Sequence, residues 1–233
     1  MFAVQTGSRA LGLDSPNSDW DVSYLYVHKP DWYSREGDHP CAIEQVCEGD
    51  VDTYGWELRD ALVHLNAGNP TILEWLNSTP YYIIDDSFSK RVREIREGFF
   101  SPVNATAYYN QIYNKYNERF LNEKGNLKTF LYFLRGVMAC KWIESKGTMP
   151  TMSFDYLLDS TVEDAGIKAK VNALIKAKRK GESKDDVVVD AELINFARRL
   201  AEHFDNVVKA SRQDSVQQDA EKLDDIFREM VKG

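Results

Sequence analysis

The pattern of apolar residues changes near residue 85, and this change limits the folds open to the chain. Before that point, short runs of β-forming residues are interspersed with short helical patterns. After it, apolar residues recur at helical spacing with few strand signals. We therefore expect an α+β protein with a small mixed-sheet domain over residues 1–85 and a mostly α-helical domain over residues 86–233.

Individual elements follow from the same patterns and from turn-forming residues. Strands are predicted at residues 2–5, 21–27, 42–46 and 51–53. Helices are predicted at residues 56–65, from Pro70, and at 105–120, 126–146, 162–180, 191–210 and 217–232. Residues 7–12 predict a tight turn or one helical turn, and residues 13–18 a loop.

Composition excludes some classes of protein. Of the 233 residues, 43% are hydrophobic and 28% charged, which is ordinary for a globular protein. No apolar run approaches the roughly 20 residues that span a bilayer, and no basic segment precedes an apolar one at the N-terminus, so we expect a cytoplasmic protein without a membrane partner. A net charge of −8 argues against a broadly basic surface for nucleic acid but allows a local basic groove. The sequence does not indicate an oligomeric state.

Two aspartates, Asp19 and Asp21, lie on either side of Trp20 at the start of the strand predicted over residues 21–27. Asp19 and Asp21 are separated by one residue, and side chains at that spacing on a strand point to the same face. Their carboxylates could therefore converge on one metal ion, and carboxylate oxygens are the ligands that Mg²⁺ prefers. The alternative is that both are surface carboxylates at the end of a loop.

Gly7-Ser8 lies upstream of this pair and predicts a phosphate contact. Glycine lets the main chain approach a phosphate closely, and both its N–H and the serine hydroxyl can donate hydrogen bonds. Arg9 could also contact a phosphate, or it could face solvent. On its own, the Gly-Ser pair is equally consistent with a simple turn.

A third carboxylate on a neighbouring strand could complete the ligands of such an ion, and Asp50 and Asp52 are the candidates. Asp52 is the better candidate because its neighbours are β-formers. Asp50 is the rival, and spacing alone does not separate the two. Asp50 follows Glu48-Gly49 and is more typical of a turn.

Basic residues occur within an apolar helical pattern in the second half of the chain. Lys128 and Arg135 are seven residues apart and so share a helix face. They could bind the oxygens of a triphosphate, with the arginine offering bidentate geometry. An ordinary salt bridge is the alternative for each.

Several of these stretches together resemble a known family. The run from Gly7 to Val22, GSRALGLDSPNSDWDV, resembles the GS…DxD signature of the DNA polymerase beta-like nucleotidyltransferase superfamily. Together with Tyr26-Val27-His28 and Asp31-Trp32-Tyr33, it resembles the YcgL/RlaP family, which is associated by name with RNA repair. Further matching stretches lie at residues 55–59, 68–76, 127–135 and 139–143, and the similarity extends over residues 2–158.

The resemblance implies a polymerase beta-like catalytic domain followed by a helical domain. It implies transfer of a nucleoside monophosphate from a nucleoside triphosphate, with Mg²⁺ or Mn²⁺ and with release of pyrophosphate. By motif match, the catalytic or metal-binding residues are Ser8, Asp19, Asp21 and Asp52. The expected acceptor is a hydroxyl group, with an RNA end as the leading candidate.

Two other functions remain open. The same chemistry could act on a protein side chain (AMPylation) or on a small molecule. Alternatively, the chain could be a nucleotide- or RNA-binding module without catalysis, which the three intact acidic positions disfavour. Family members usually have a helix before the first strand, whereas this sequence begins at the strand. Either a start codon lies upstream, or this chain does without the helix.

Overall fold

The computed structural model describes residues 2–34, 42–47, 49–88, 90, 98–122, 126–181, 188–211 and 220–232. A five-stranded mixed sheet is followed by helices, which confirms the expected α+β class. None of the helices in these ranges is long and apolar enough to cross a membrane. The chain divides into two compact units, one formed by residues 1–10, 19–100 and 215–233 and the other by residues 11–18 and 101–214. The division into domains at residue 85 stays a prediction.

The sheet contains one parallel pair of strands. Its strands are β1 (Phe2–Gln5), β2 (Trp20–Tyr26), β3 (Ala42–Cys47), β4 (Val51–Glu57) and β5 (Tyr81–Ile84). They are ordered β3-β4-β2-β1-β5 across the sheet. β2 and β4 are parallel, and every other neighbouring pair is antiparallel.

Ten helices can be bounded in the described residues. They are α1 (Gly7–Ala10), α2 (Pro30–Tyr33), α3 (Leu58–Asn66), α4 (Thr71–Asn77), α5 (Pro102–Asn122), α6 (Leu127–Lys146), α7 (Phe154–Thr161), α8 (Ala165–Lys180), α9 (Ala191–Ala210) and α10 (Ala220–Lys232). Most lie where the sequence predicts them. The predicted helix start at residue 217 falls outside the described residues.

The boundary between β4 and α3 differs from the prediction. β4 continues to Glu57, so the helix expected from Trp56 begins two residues later, at Leu58. The Glu57 carboxylate accepts hydrogen bonds from the main-chain N–H groups of Arg59, at 2.7 Å, and Asp60, at 3.4 Å. This buried side chain therefore caps the helix and sets its first residue.

Three elements were not predicted, the short helix α2 (Pro30–Tyr33), β5 and α7. β5 consists of Tyr-Tyr-Ile-Ile, which shows no alternation of apolar and polar residues, and all four residues are exposed at an edge of the sheet. α7 takes up residues assigned to the connection before the next helix, and that helix starts at Ala165 instead of Val162. The reason is local: Val162 is extended and ends α7, and the Asp164 side chain then caps α8 by accepting from the Ile167 N–H.

Helices cover the sheet in the first unit. Trp56 of β4 packs against Trp75 of α4, with ring centres 5.3 Å apart. The apolar sides of α3 and α4 are buried. α10 packs on α3 and buries Leu223 and Ile226.

α6 forms the centre of the second unit. Thirteen of its residues are buried, including Arg135. The Asn126 side chain caps its start, and Gly147, with φ of 65°, ends it in the left-handed conformation that glycine adopts without strain. The helix therefore ends at Lys146, the residue at which the sequence predicts its end.

A polar cluster in this unit joins α5 to α9. The Tyr113 hydroxyl, which is fully buried, donates to the Asp205 carboxylate at 2.7 Å, and the Asn110 side-chain amide donates to the same oxygen at 2.7 Å. Burial alone would raise the pKa of Asp205, but the hydrogen bonds from Tyr113, Asn114 and Asn110 outweigh it and hold the pKa below its usual value.

We expect Tyr113→Phe to lower the free energy of unfolding by about 1–3 kcal/mol at pH 7, because the half-buried ionised carboxylate of Asp205 loses a hydrogen-bond donor. A carboxyl whose folded pKa is lowered stabilises the protein above its unfolded pKa of about 3.9, and this contribution is lost as the pH falls through the folded value. Urea unfolding at pH 7 and pH 3 should therefore show the difference between variant and parent shrinking at pH 3. Tyr156→Phe, at an exposed position, is the control. An equal difference at both pH values would contradict this role for Asp205.

Candidate active site

The Gly-Ser turn follows β1 directly and is tied to the start of β2. The Thr6 N–H donates to the Asp21 carbonyl oxygen at 2.8 Å. The Gln5 side-chain amide donates to the same oxygen at 2.9 Å and to the Thr6 carbonyl at 3.0 Å. The Thr6 N–H, the Gln5 side-chain amide and the Asp21 carbonyl are therefore held together at the end of the β1–β2 pair. The Gly-Ser turn starts from this fixed point.

Gly7 lies directly against the carboxylate of Asp21. A Cβ atom built on Gly7 would be 1.8 Å from Asp21 Oδ2, 2.4 Å from its Cγ and 2.9 Å from its Cβ. Gly7 also has a φ of 63°, a conformation that other residues adopt with strain. Both constraints require glycine here. The sequence-predicted neighbours Gly7 and Asp21 are thus brought together, and Ser8 beside them is buried.

Asp52 lies beside Asp21 in the sheet. The two residues are partners in the parallel β2–β4 pair, so their side chains leave the same face of adjacent strands, which are about 4.8 Å apart. Both are half-buried. The side-by-side placement of two carboxylates near the Gly-Ser turn is the central geometric feature of the site.

Asp50 occupies a different position from Asp52. It lies in the turn before β4 with a φ of 56°, the only non-glycine residue with positive φ among those described. Its carbonyl oxygen accepts a hydrogen bond from the Trp20 N–H at 2.8 Å. The main chain of Asp50 therefore supports the start of β2, while its side chain is exposed.

Asp19 lies outside the strand. The prediction placed Asp19 and Asp21 on one strand, but β2 begins at Trp20, and Asp19 is the exposed residue before it. Its carbonyl oxygen accepts from Arg9 Nε at 3.1 Å. Strand alternation alone therefore does not fix the direction of the Asp19 side chain.

Arg9 contacts the segment before β2. Its guanidinium carbon is 3.9 Å from the centre of the Trp20 ring, in addition to the hydrogen bond to Asp19. The phosphate contact predicted for Arg9 stays a prediction, and the observed partners are a carbonyl group and an aromatic ring.

The donor set suits a hard divalent cation. The side chains offered are carboxylates, and the absence of a side chain at Gly7 leaves the space in which the Asp21 carboxylate sits. Asp21 and Asp52 are adjacent in the sheet, so these two residues fit such an ion, and Asp19 precedes Asp21 by two residues in the chain. In the described part of the chain, however, no three His, Cys, Asp or Glu side chains are grouped closely enough to hold a metal.

Lys128 and Arg135 both lie on α6, in the second unit, and differ in their surroundings. Lys128 is exposed in the first turn of the helix. Arg135 is only 6% exposed; its NH2 donates to the Met152 sulfur at 3.6 Å, and its guanidinium carbon is 5.8 Å from the Tyr109 ring centre. Their assignment to a nucleotide stays a prediction, for which exposure favours Lys128.

Sequence reasoning missed two contributors to this region. Gln5 is 2% exposed, and its amide holds the Asp21 carbonyl. A glutamine within a short apolar strand was the available signal, because a buried amide needs hydrogen-bonding partners. Trp20, the residue between the two aspartates, was not considered as a partner of Arg9.

We expect Gly7→Ala to abolish any activity of this site and to destabilise the protein, because the added Cβ overlaps the Asp21 carboxylate. Gly147→Ala is a matched control, since it has nearly the same φ, 65°, and nothing within 4 Å of the added Cβ. The control should cost only the left-handed strain, about 1–2 kcal/mol. Thermal unfolding and activity are measured for both variants and compared with those of the parent protein. Equal effects of the two substitutions would show that the close approach to Asp21 is unimportant.

Comparisons with known proteins agree with this geometry. A family model described as "RlaP: RNA repair pathway DNA polymerase beta family" matches residues 1–229. YcgL of Bacillus subtilis (strain 168), an uncharacterised protein, is 31% identical over 214 residues, which are 91% of this chain and 81% of YcgL. The chain therefore belongs to RlaP, the RNA repair pathway DNA polymerase beta family.

Proposed function

We propose that the protein is a metal-dependent nucleotidyltransferase that moves a nucleoside monophosphate from a nucleoside triphosphate to a hydroxyl acceptor. The observation that supports this most directly is the pairing of Asp21 with Asp52 next to Gly7. Membership of the polymerase beta family supports the reaction class. The family description names an RNA repair pathway, so the proposed acceptor is the end of an RNA strand.

The reaction exchanges one phosphorus–oxygen bond for another. The acceptor oxygen attacks the α-phosphorus, and the bond from that phosphorus to the oxygen bridging the β-phosphate breaks. Pyrophosphate leaves with that oxygen. The acceptor proton passes to the Asp52 carboxylate and then to water, and general-base assistance of this kind contributes roughly 10²–10⁴-fold to a rate.

The remaining residues bind and orient. The Gly7 N–H and the Ser8 hydroxyl donate to phosphate oxygens, because a glycine turn lets the main chain approach them closely. Asp19, Asp21 and Asp52 would hold Mg²⁺ or Mn²⁺. When bound, the metal ion supplies positive charge that offsets the charge of the phosphate oxygens.

The experiment compares three Asp→Asn variants, each isosteric with the parent. Asp21→Asn and Asp52→Asn should lower nucleotide transfer by at least roughly 10²-fold, because each removes a charged oxygen ligand or the base. Asp50→Asn is the control and should stay near the parent rate. Asparagine tolerates positive φ, and the Asp50 carbonyl that binds Trp20 is unchanged.

Activity is measured as release of pyrophosphate and as labelling of the acceptor from each of the four nucleoside triphosphates with Mg²⁺ or Mn²⁺. An RNA oligonucleotide with a 3′ hydroxyl should be extended, and the same oligonucleotide with a 3′ phosphate should not. Labelling of protein or of a small hydroxyl compound, with RNA unchanged, would replace the proposed acceptor. Inactivity of Asp50→Asn with an active Asp52→Asn would exchange their roles, and full activity of all three variants would refute the site.

A further inference from the structure

Tyr54 lies on the same face of the sheet as the carboxylates of the candidate site. β4 pairs with β2 in a continuous register from Val51 to Glu57, so alternate residues of β4 share a face. Asp52 and Tyr54 are two residues apart and therefore leave the same face, about 6.6 Å apart along the strand. The ring of Tyr54 thus belongs to the next side chain on that face of β4 after the Asp52 carboxylate.

Two tryptophans hold the Tyr54 ring in place. The Trp56 Nε1–H donates to the Tyr54 hydroxyl at 2.8 Å, and the ring centres of these two residues are 6.2 Å apart. Trp75 of α4 contacts the Tyr54 ring nearly at a right angle (87°), with ring centres 6.1 Å apart. The orientation of the Tyr54 ring is therefore set before a ligand binds, which lowers the entropy cost of stacking against it.

The Tyr54 ring is nevertheless open to solvent. It is 38% exposed, whereas the neighbouring Trp75 is only 6% exposed. Ser23, the partner of Tyr54 on β2, is too small to cover the ring, and its hydroxyl is hydrogen-bonded to that of Thr6 at 3.0 Å. Glu44, the partner on β3, is itself exposed. An oriented, accessible aromatic ring beside a pair of carboxylates is an arrangement suited to stacking on a nucleobase.

We infer that Tyr54 binds the base of the nucleoside triphosphate by stacking, while Asp21 and Asp52 lie at its phosphates. This rests on the proposed function, because it takes the carboxylate pair as the position of the α-phosphate. In a nucleotide the sugar separates the base from that phosphate, and the spacing of about 6.6 Å between Asp52 and Tyr54 leaves room for it. Every base has a π-face, so Tyr54 supplies affinity for a nucleotide without selecting one base.

Two substitutions at Tyr54 separate the contribution of the ring from that of the hydroxyl. Tyr54→Phe removes the hydrogen bond from Trp56 but keeps the ring, so the affinity for a nucleoside triphosphate should stay within about twofold of the parent value. Tyr54→Leu keeps an apolar side chain but removes the π-face. It should weaken binding roughly 5–150-fold, the range expected for the loss of one stack between a base and an aromatic ring.

The ligands are ATP, UTP and inorganic tripolyphosphate, each titrated by calorimetry in the presence of Mg²⁺. Tripolyphosphate has no base, so its affinity should be the same for Tyr54→Leu and for the parent. A purely structural role of Tyr54 would instead weaken the binding of all three ligands together. In transfer assays, Tyr54→Leu should raise KM for the triphosphate and leave kcat within about twofold, because the base is bound equally before and during the reaction.

Tyr81→Leu is the matched control. Tyr81 is also 38% exposed, belongs to the same unit, and donates from its hydroxyl to the Leu76 carbonyl oxygen at 2.8 Å. It lies on β5, which two strands separate from β4, and its substitution should leave the affinity for all three ligands unchanged. Thermal unfolding identifies any variant that fails to fold. If Tyr54→Leu fails, Tyr54→Thr takes its place, because threonine is a β-former without a ring.

Three results would overturn the inference. They are parental affinity of Tyr54→Leu for ATP and UTP, equal weakening of ATP and tripolyphosphate binding, and weaker binding of an RNA oligonucleotide with unchanged affinity for the triphosphates. The last result would assign the ring to the acceptor. Failure of the proposed function looks different: the parent protein binds the triphosphates but transfers no nucleotide to any acceptor. The comparison of ATP with tripolyphosphate then still reports on the stacking by Tyr54.

Discussion

The contact between Gly7 and the Asp21 carboxylate is the constraint around which the rest of the site is arranged. A carboxylate can lie this close to a main chain only where no side chain intervenes, and the positive φ of Gly7 directs the turn toward it. The approach is kept in place by hydrogen bonds from Gln5 and Thr6 to the Asp21 carbonyl. The antiparallel pairing of β1 with β2 thus brings the Gly-Ser turn next to the acidic start of β2.

The acidic residues near Asp21 contribute through different atoms, some through the side chain and some through the main chain. Asp52 offers a carboxylate beside that of Asp21, whereas Asp50 offers its carbonyl to Trp20. Asp19 contributes through both, since its carbonyl binds Arg9 and its carboxylate is the third acidic group near the strand end. Asp50 and Asp52, which lie on either side of Val51, therefore differ because one is in a left-handed turn and the other in a strand.

Much of this could be predicted from the sequence, because the signals were local. Strong β-formers marked β2, and Gly-Ser before an acidic pair marked the candidate site.

The features that could not be predicted depend on how the strands pair. That Asp52, and not Asp50, lies beside Asp21 depends on the register of β2 against β4, which no spacing encodes. Among the described strands, β5 pairs with β1 alone, and the strand limit that leaves Asp19 outside β2 depends on where pairing with β4 starts, so neither had a local pattern. The start of α3 was missed because a buried Glu57 acts as its cap, a role that the sequence does not distinguish from an exposed acid.

The parallel pairing of β2 with β4 has a consequence for how this sequence can vary. Side chains on a strand alternate between faces, so a shift of one residue would place Val51 or Thr53 beside Asp21 and turn Asp52 to the opposite face. An insertion or deletion within either strand would therefore separate the side chains of Asp21 and Asp52, whereas a substitution at another position of the strands would leave their register unchanged. The turn at Gly49-Asp50 sets that register through the hydrogen bond from the Trp20 N–H to the Asp50 carbonyl. The number of residues in this turn is therefore more constrained than their identity.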